Sequence, residues 1–146
     1  MYAWLVRKMI RLSIDRMNAG DITPLVTSFA DDARLVFPGR SSWAGDYRGR
    51  DQIEAFLDRF VRVGLKAAAD EIVVKGPPWN TTICVRFRDE AHAPDGSVVY
   101  SNRAVLFVKA AWGKIVSQED YIDTEKVSAF DEYLAAHGAP GVAKVG

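Results

Sequence analysis

The chain has a single cysteine, Cys84, so no internal disulfide can form, and that scarcity fits a reducing compartment. Histidine is nearly absent too. His92 and His137 are far apart and neither is spaced with Cys84 as metal ligands would be, so no metal and no cofactor is expected. An excess of either charge is missing: 19 basic and 19 acidic side chains cancel and lie scattered, which leaves no electrostatic footprint for nucleic acid or an anionic membrane. No apolar run approaches the roughly 18 residues of a membrane span. Residues 1–6 are apolar, but Arg7, Lys8 and Arg11 follow without a small-residue cleavage site, so this segment reads as helix and a cytoplasmic location is expected. There is no internal repeat, and Gly76-Pro77-Pro78 is a turn rather than a phosphate loop.

What is present is core-forming material: 49% of the 146 residues are hydrophobic and 26% charged, enough for one domain over 1–146 with a loose tail after about residue 138. Tyr2, Leu5, Met9 and Leu12 fall at helical spacing with Val6, Ile10, Ile14 and Met17 beside them, predicting a helix over 2–18 that Asn18-Ala19-Gly20-Asp21 stops. Thr23-Pro24 opens a short helix through Phe29, closed by Asp31-Asp32, and residues 33–37 form a strand ended by Pro38-Gly39. A loop or small hairpin holds Trp43 and Tyr47. Ile53, Phe56, Leu57, Phe60, Val61 and Leu65 then mark the strongest amphipathic helix. From residue 71 onward the pattern turns to strands, at 71–75, 79–88, 98–109 and 114–122, with 92–96 as a hairpin loop. A last helix runs from Glu125 to His137 and ends at Gly138. The expected fold class is α+β, a cone-shaped, curved, mostly antiparallel sheet packed on N-terminal helices with a central pocket.

The stretch 112–124 carries the chemistry. On a regular strand Asp120 shares a face with Val116, Gln118 and Ile122, where an acid between apolar neighbours is either reaching water or buried with work to do. Asp123 instead reads as the N-cap of the last helix.

Three strings resemble the nuclear-transport-factor-2-like superfamily, and within it the SnoaL-like and ketosteroid-isomerase-like group. They are Asn18-Ala19-Gly20-Asp21 with Phe29-Ala30-Asp31-Asp32-Ala33, then Tyr47-Arg48-Gly49-Arg50-Asp51-Gln52-Ile53, then Gly113-Lys114-Ile115-Val116 with Glu119-Asp120-Tyr121-Ile122-Asp123. The resemblance implies the fold more firmly than a reaction. Where ketosteroid isomerases carry a general-base aspartate, an oxyanion tyrosine and a second acid, this chain has Phe37, Ser13 and Val105, which speaks against that mechanism. Against limonene-epoxide hydrolases, Asp120 and Arg103 match, but the second aspartate is again Val105 and the water-holding residues fall near Leu35 and Phe37. SnoaL-type polyketide cyclases use one acid for proton transfer, and Asp120 resembles it in position.

Asp120 is therefore expected as acid or base, with Arg103 as its ion-pair partner on the neighbouring strand. Phe37, Trp43, Trp79, Tyr100, Val105 and Asn102 are expected to bind a ligand in the cavity, with Tyr121 in the same aromatic set and Asn102 facing away from Arg103. Two readings follow. The chain is a small cofactor-independent enzyme moving a proton on an apolar, oxygen-bearing molecule, or a non-catalytic module binding an apolar ligand in the same cavity. A homodimer is expected because an outer sheet face with Tyr100, Leu106 and Val108 would need cover.

Overall fold

A computed structural model describes residues 1–139; the loose tail expected after about residue 138 lies outside them apart from its first residue. Two helices come first, α1 (Tyr2–Asn18) and α2 (Thr23–Ser28), followed by β1 (Phe29–Phe37), β2 (Gly45–Arg48) and α3 (Arg50–Arg62). A meander of β3 (Lys66–Lys75), β4 (Thr81–His92), β5 (Val98–Ala111) and β6 (Lys114–Ile122) leads into α4 (Thr124–His137). One six-stranded sheet has the order β2-β1-β6-β5-β4-β3, antiparallel throughout except where β1 runs parallel to β6.

The helices form where the apolar spacing demands and bury the faces it selects. In α3, Ile53, Phe56, Leu57 and Phe60 are buried against β1 and β2. In α4, Val127 and Phe130 are buried, and the Phe130 ring stacks on Tyr100 of β5 with centroids 4.6 Å apart. Asp123 caps α4 as expected, its carboxylate accepting from the N–H groups of Glu125 and Lys126. The Asn18 side chain ties α1 to β3, donating to the Ala67 carbonyl and accepting from the Ala67 N–H, both at 2.8 Å.

Several boundaries differ from the sequence expectation. Strand β1 begins at Phe29, so Asp31 and Asp32 are strand residues and do not close a helix. Strand β3 takes in Ala67, Ala68 and Ala69, and α3 stops at Arg62, before Leu65. Alanine is the best helix former and is depleted in strands, so Ala67-Ala68-Ala69 concealed the start of β3.

Bulges set the curvature and the side-chain phase. Ala91 pairs with Tyr100 and His92 with Val98, which leaves Val99 as an extra residue in β5. Ala110 pairs with Ile115 and Lys109 with Ser117, which leaves Val116 extra in β6. The second bulge swaps two assignments. Ile115 turns inward to the face of Gln118, Asp120 and Ile122, while Val116 turns out and is exposed.

Candidate active site

The concave face of the sheet and the helices enclose a cavity of about 760 Å³, within the usual size of small-molecule sites. Its walls are mainly apolar: Met17 from α1, Phe29 and Phe37 from β1, Phe56 and Phe60 from α3, and Val85, Phe87, Leu106 and Val108 from the meander. Exposed lining residues, Leu5, Met9 and Leu12 on α1 with Gly113 and Lys114 at the β5–β6 turn, place the mouth on that side. The two cationic side chains along the lining are engaged elsewhere. Arg16 pairs with Asp21 at 3.0 Å, and Lys114 Nζ donates to the Thr27 carbonyl at 2.7 Å.

Two carboxyls stand on this apolar wall. Asp120 is 8% exposed and receives one hydrogen bond, from Gln118 Nε2 to Oδ1 at 2.9 Å. Burial pushes its pKa up to about 7 against the smaller opposing effect of Gln118. Asp89, on β4, is 6% exposed, and its Oδ1 is buried with no hydrogen-bond partner. Its pKa also rises to about 7, from burial first, opposed by the Tyr100 hydroxyl and reinforced by the Asp120 charge. No ion pair reaches either acid among the described residues.

Beside Asp89 a short polar chain is fixed in place. The Asn102 amide accepts from the Arg103 N–H at 2.8 Å and donates to the Asp123 carbonyl at 3.0 Å and to the Tyr100 oxygen at 3.1 Å. With its oxygen occupied as acceptor, the Tyr100 hydroxyl keeps its proton for donation. Burial first, then the charge of Asp89, holds that phenol above its ordinary range, so it stays protonated.

The expected residues divide cleanly by face. Asp120 pairs across the ladder with Leu106, so it points with Ala104, Leu106 and Val108 into the cavity. Arg103 and Val105 point out on the convex face, both exposed, and the expected Arg103–Asp120 ion pair does not form. Arg103 shares that outer face with Ser101, Val105 and Phe107, all exposed. Phe37, Trp43 and Tyr100 line the cavity as expected. Asn102 is buried and opposite in sense to Arg103, and it bonds to a lining residue without lining the cavity itself. Trp79 is exposed at the β3–β4 turn, its ring 6.0 Å from that of Trp112, and Tyr121 is exposed on the convex face. Tyr100, Leu106 and Val108 belong to the cavity, so they do not form the outer apolar face.

Residue Asp89 escaped the sequence reading. The signal was there: Ile83, Val85, Phe87 and Asp89 keep one alternation, which continues to Ala91. Ending the strand at residue 88 cut it off.

Residues 10–118 match the SnoaL-like domain, three quarters of the chain. The chain belongs to the SnoaL-like family. Among solved structures, this SnoaL-like domain is similar to Bal32a from a soil-derived mobile gene cassette, with a TM-score of 0.71, 22% identity, and coverage of 91% of this chain and 98% of that one. It is also similar to a nuclear-transport-factor-2-like protein of Burkholderia pseudomallei, with a TM-score of 0.68, 21% identity, and coverage of 83% and 92%. A putative polyketide cyclase of Xanthomonas campestris pv. campestris superposes with a TM-score of 0.63 at 16% identity, over 90% and 99% of the two chains. At these identities the likeness is one of fold. No curated protein matches. The family match includes Asp89 and stops two residues short of Asp120, so membership alone assigns no role to that acid. No helix among the described residues is long and apolar enough to cross a membrane, and no cluster of three His, Cys, Asp or Glu side chains there could hold a metal.

Proposed function

We propose that this SnoaL-like domain is a cofactor-independent enzyme that moves a proton on an apolar, oxygen-bearing small molecule, of the isomerase, cyclase or epoxide-hydrolase type. The observation that carries this reading is Asp120: a carboxyl on the wall of an apolar cavity, without a cationic partner, with a pKa pushed up to about 7. A carboxylate so placed is a stronger base than one in water and loses its proton near neutrality, the range in which an acid/base catalyst works best. As carboxylate it takes a proton from a carbon or hydroxyl of the bound molecule, and as carboxylic acid it returns that proton to a second position. Gln118 holds one oxygen, so the other is left to the ligand. The putative cyclase among the fold relatives is consistent with chemistry of this kind.

The test begins with native mass spectrometry of the purified protein, to identify an apolar molecule carried in the cavity. That molecule is then incubated in deuterated water with the wild type and with Asp120→Asn. Deuterium entering one C–H position with the wild type and not with the variant supports the reading. Equal exchange by both removes Asp120 from the chemistry and leaves the alternative, a binding module, whose signature would be a ligand-raised melting temperature without turnover.

A further inference from the structure

One end of the molecule collects features that proton transfer at Asp120 does not use. The β3–β4 turn, the β5–β6 turn and the start of α1 meet there. The Trp112 N–H donates to the Pro78 carbonyl at 2.7 Å and so joins the two turns. The Tyr2 hydroxyl donates to Thr81 Oγ1 at 2.7 Å, and Thr81 donates in turn to the Pro77 carbonyl at 2.9 Å, which ties α1 to the same place. The cavity mouth, with Leu5 and Met9 of α1 and Gly113 and Lys114 of the turn, opens beside it.

Three of the four tryptophans stand in water at this end. Trp4 is 57% exposed, Trp79 60% and Trp112 73%, and the rings of Trp79 and Trp112 lie 6.0 Å apart. Trp112 is also costly to place: its φ is +52°, in the left-handed region that a bulky side chain occupies at a cost of about 1–2 kcal/mol. Glycine or asparagine is the usual residue in such a turn. A side chain that strains the backbone and is left in water does nothing for the core, so its use lies outside the molecule.

Charges that are scattered along the sequence are gathered here by the fold. Residues 1–14, 72–87 and 104–118, which supply this end, contain no Asp or Glu. They carry Arg7, Lys8, Arg11, Lys75, Lys109 and Lys114, none of which pairs with a carboxylate among the described residues; Arg86 alone does, with Glu71. Lys75 and Lys109 both lie opposite Thr82 on the ladder, and Lys8 Nζ is 5.0 Å from the centre of the Trp4 ring. The hydrogen bonds from Lys109 to Thr82 and from Lys114 to Thr27 go to neutral oxygens and leave both charges in place. Exposed indoles and unneutralised cations around an apolar opening match the headgroup layer of a bilayer, where tryptophan is enriched and anionic phosphates meet lysine and arginine.

We propose that this end docks on an anionic lipid bilayer, with Trp4, Trp79 and Trp112 in the headgroup layer and the cavity mouth turned toward the lipid. Docking needs neither ligand nor turnover, so it stands or falls apart from the role of Asp120.

The test is co-sedimentation with vesicles of phosphatidylcholine alone and of phosphatidylcholine with about 30% phosphatidylglycerol, with tryptophan emission recorded in parallel. The wild type is expected to bind the anionic vesicles about tenfold more strongly or better, and to shift its emission to the blue. Trp112→Gly, which suits the left-handed position, combined with Trp79→Ala should lower partitioning about tenfold or more and remove most of that shift. Lys8→Gln and Lys75→Gln, both on the surface, should each lower it about fivefold, the worth of one lysine near a charged membrane. Asp120→Asn should bind vesicles like the wild type. If the tryptophan double variant does not fold, the lysine variants decide. No binding to anionic vesicles, equal binding to both compositions, or binding that survives the substitutions overturns the proposal. So does a lipid-free light-scattering mass for the tryptophan double variant below that of the wild type, which would assign this end to contact with a second copy of the chain.

Discussion

Asp120 and Asp89 are acids whose environment, not their type, gives them an uncommon property. Both have folded-state pKa values near 7 against an ordinary value of 3.8, so between about pH 4 and 7 the folded chain holds protons that the unfolded chain has released. Stability must therefore fall as pH rises through that window and level off above it. A shift of this size is on the order of 4 kcal/mol for a fully independent group, and less for two that repel each other. Urea unfolding at pH 4.5 and pH 8 should show Asp120→Asn cutting the drop in stability by roughly 2–4 kcal/mol. A drop as large as in the wild type would mean that Asp120 titrates normally. For turnover, the same substitution should cost about a hundredfold or more, the ordinary worth of a positioned acid or base. Arg103, on the convex face, gives the opposite expectation. Arg103→Ala should leave turnover within about twofold and stability within about 0.5 kcal/mol. That contrast would not exist had the ion pair formed.

At the scale of the elements, the helices and the meander were legible and the phase of one strand was not. Helices α1, α3 and α4 carry apolar residues at helical spacing, and Asp123 announces the start of α4. Strand β5 has Tyr100, Leu106 and Val108 on one face and Val105 and Phe107 on the other, so hydrophobicity alone offers no contrast to say which face is inside. The bulges at Val99 and Val116 then shift the alternation, and nothing local in the sequence marks them. Asp120 stood out in the sequence as an acid among apolar neighbours, while nothing in the pattern placed Arg103 on the outer face, so the expected ion pair between them does not form. Two element-level expectations follow. Asp123→Ala removes the cap of α4 and should cost about 1 kcal/mol by chemical denaturation. Gly76 has φ of +96° and a Cβ there would run into the Asn80 carbonyl oxygen, so Gly76→Ala should destabilise the β3–β4 turn by roughly 1–3 kcal/mol.

For the whole molecule, the face that was expected inside out matters twice. With Tyr100, Leu106 and Val108 in the cavity, the convex face exposes Val105, Phe107, Val116 and Tyr121, each at least 40% accessible. An apolar sheet face of this kind suits a second copy of the same chain, because a two-fold contact covers the same patch on both partners. We propose a homodimer through it, and light scattering should give twice the monomer mass for the wild type and the monomer mass for Phe107→Glu. A monomeric wild type would leave that face unexplained. The cavity lies on the other side of the sheet, so dimerisation and ligand binding are separable. What joins the scales is an enclosed apolar cavity that keeps two carboxyls from water and from cations, and the titration of Asp120 reports on it directly. The carboxyl carbon of Asp120, identified by its loss in Asp120→Asn, can be followed by carbon-13 magnetic resonance from about pH 3 to about pH 10, on the order of three units or more either side of neutrality. A midpoint near 7 is the predicted result; a midpoint near the ordinary 3.8 would show a carboxylate already ionised and solvated, and would contradict the account.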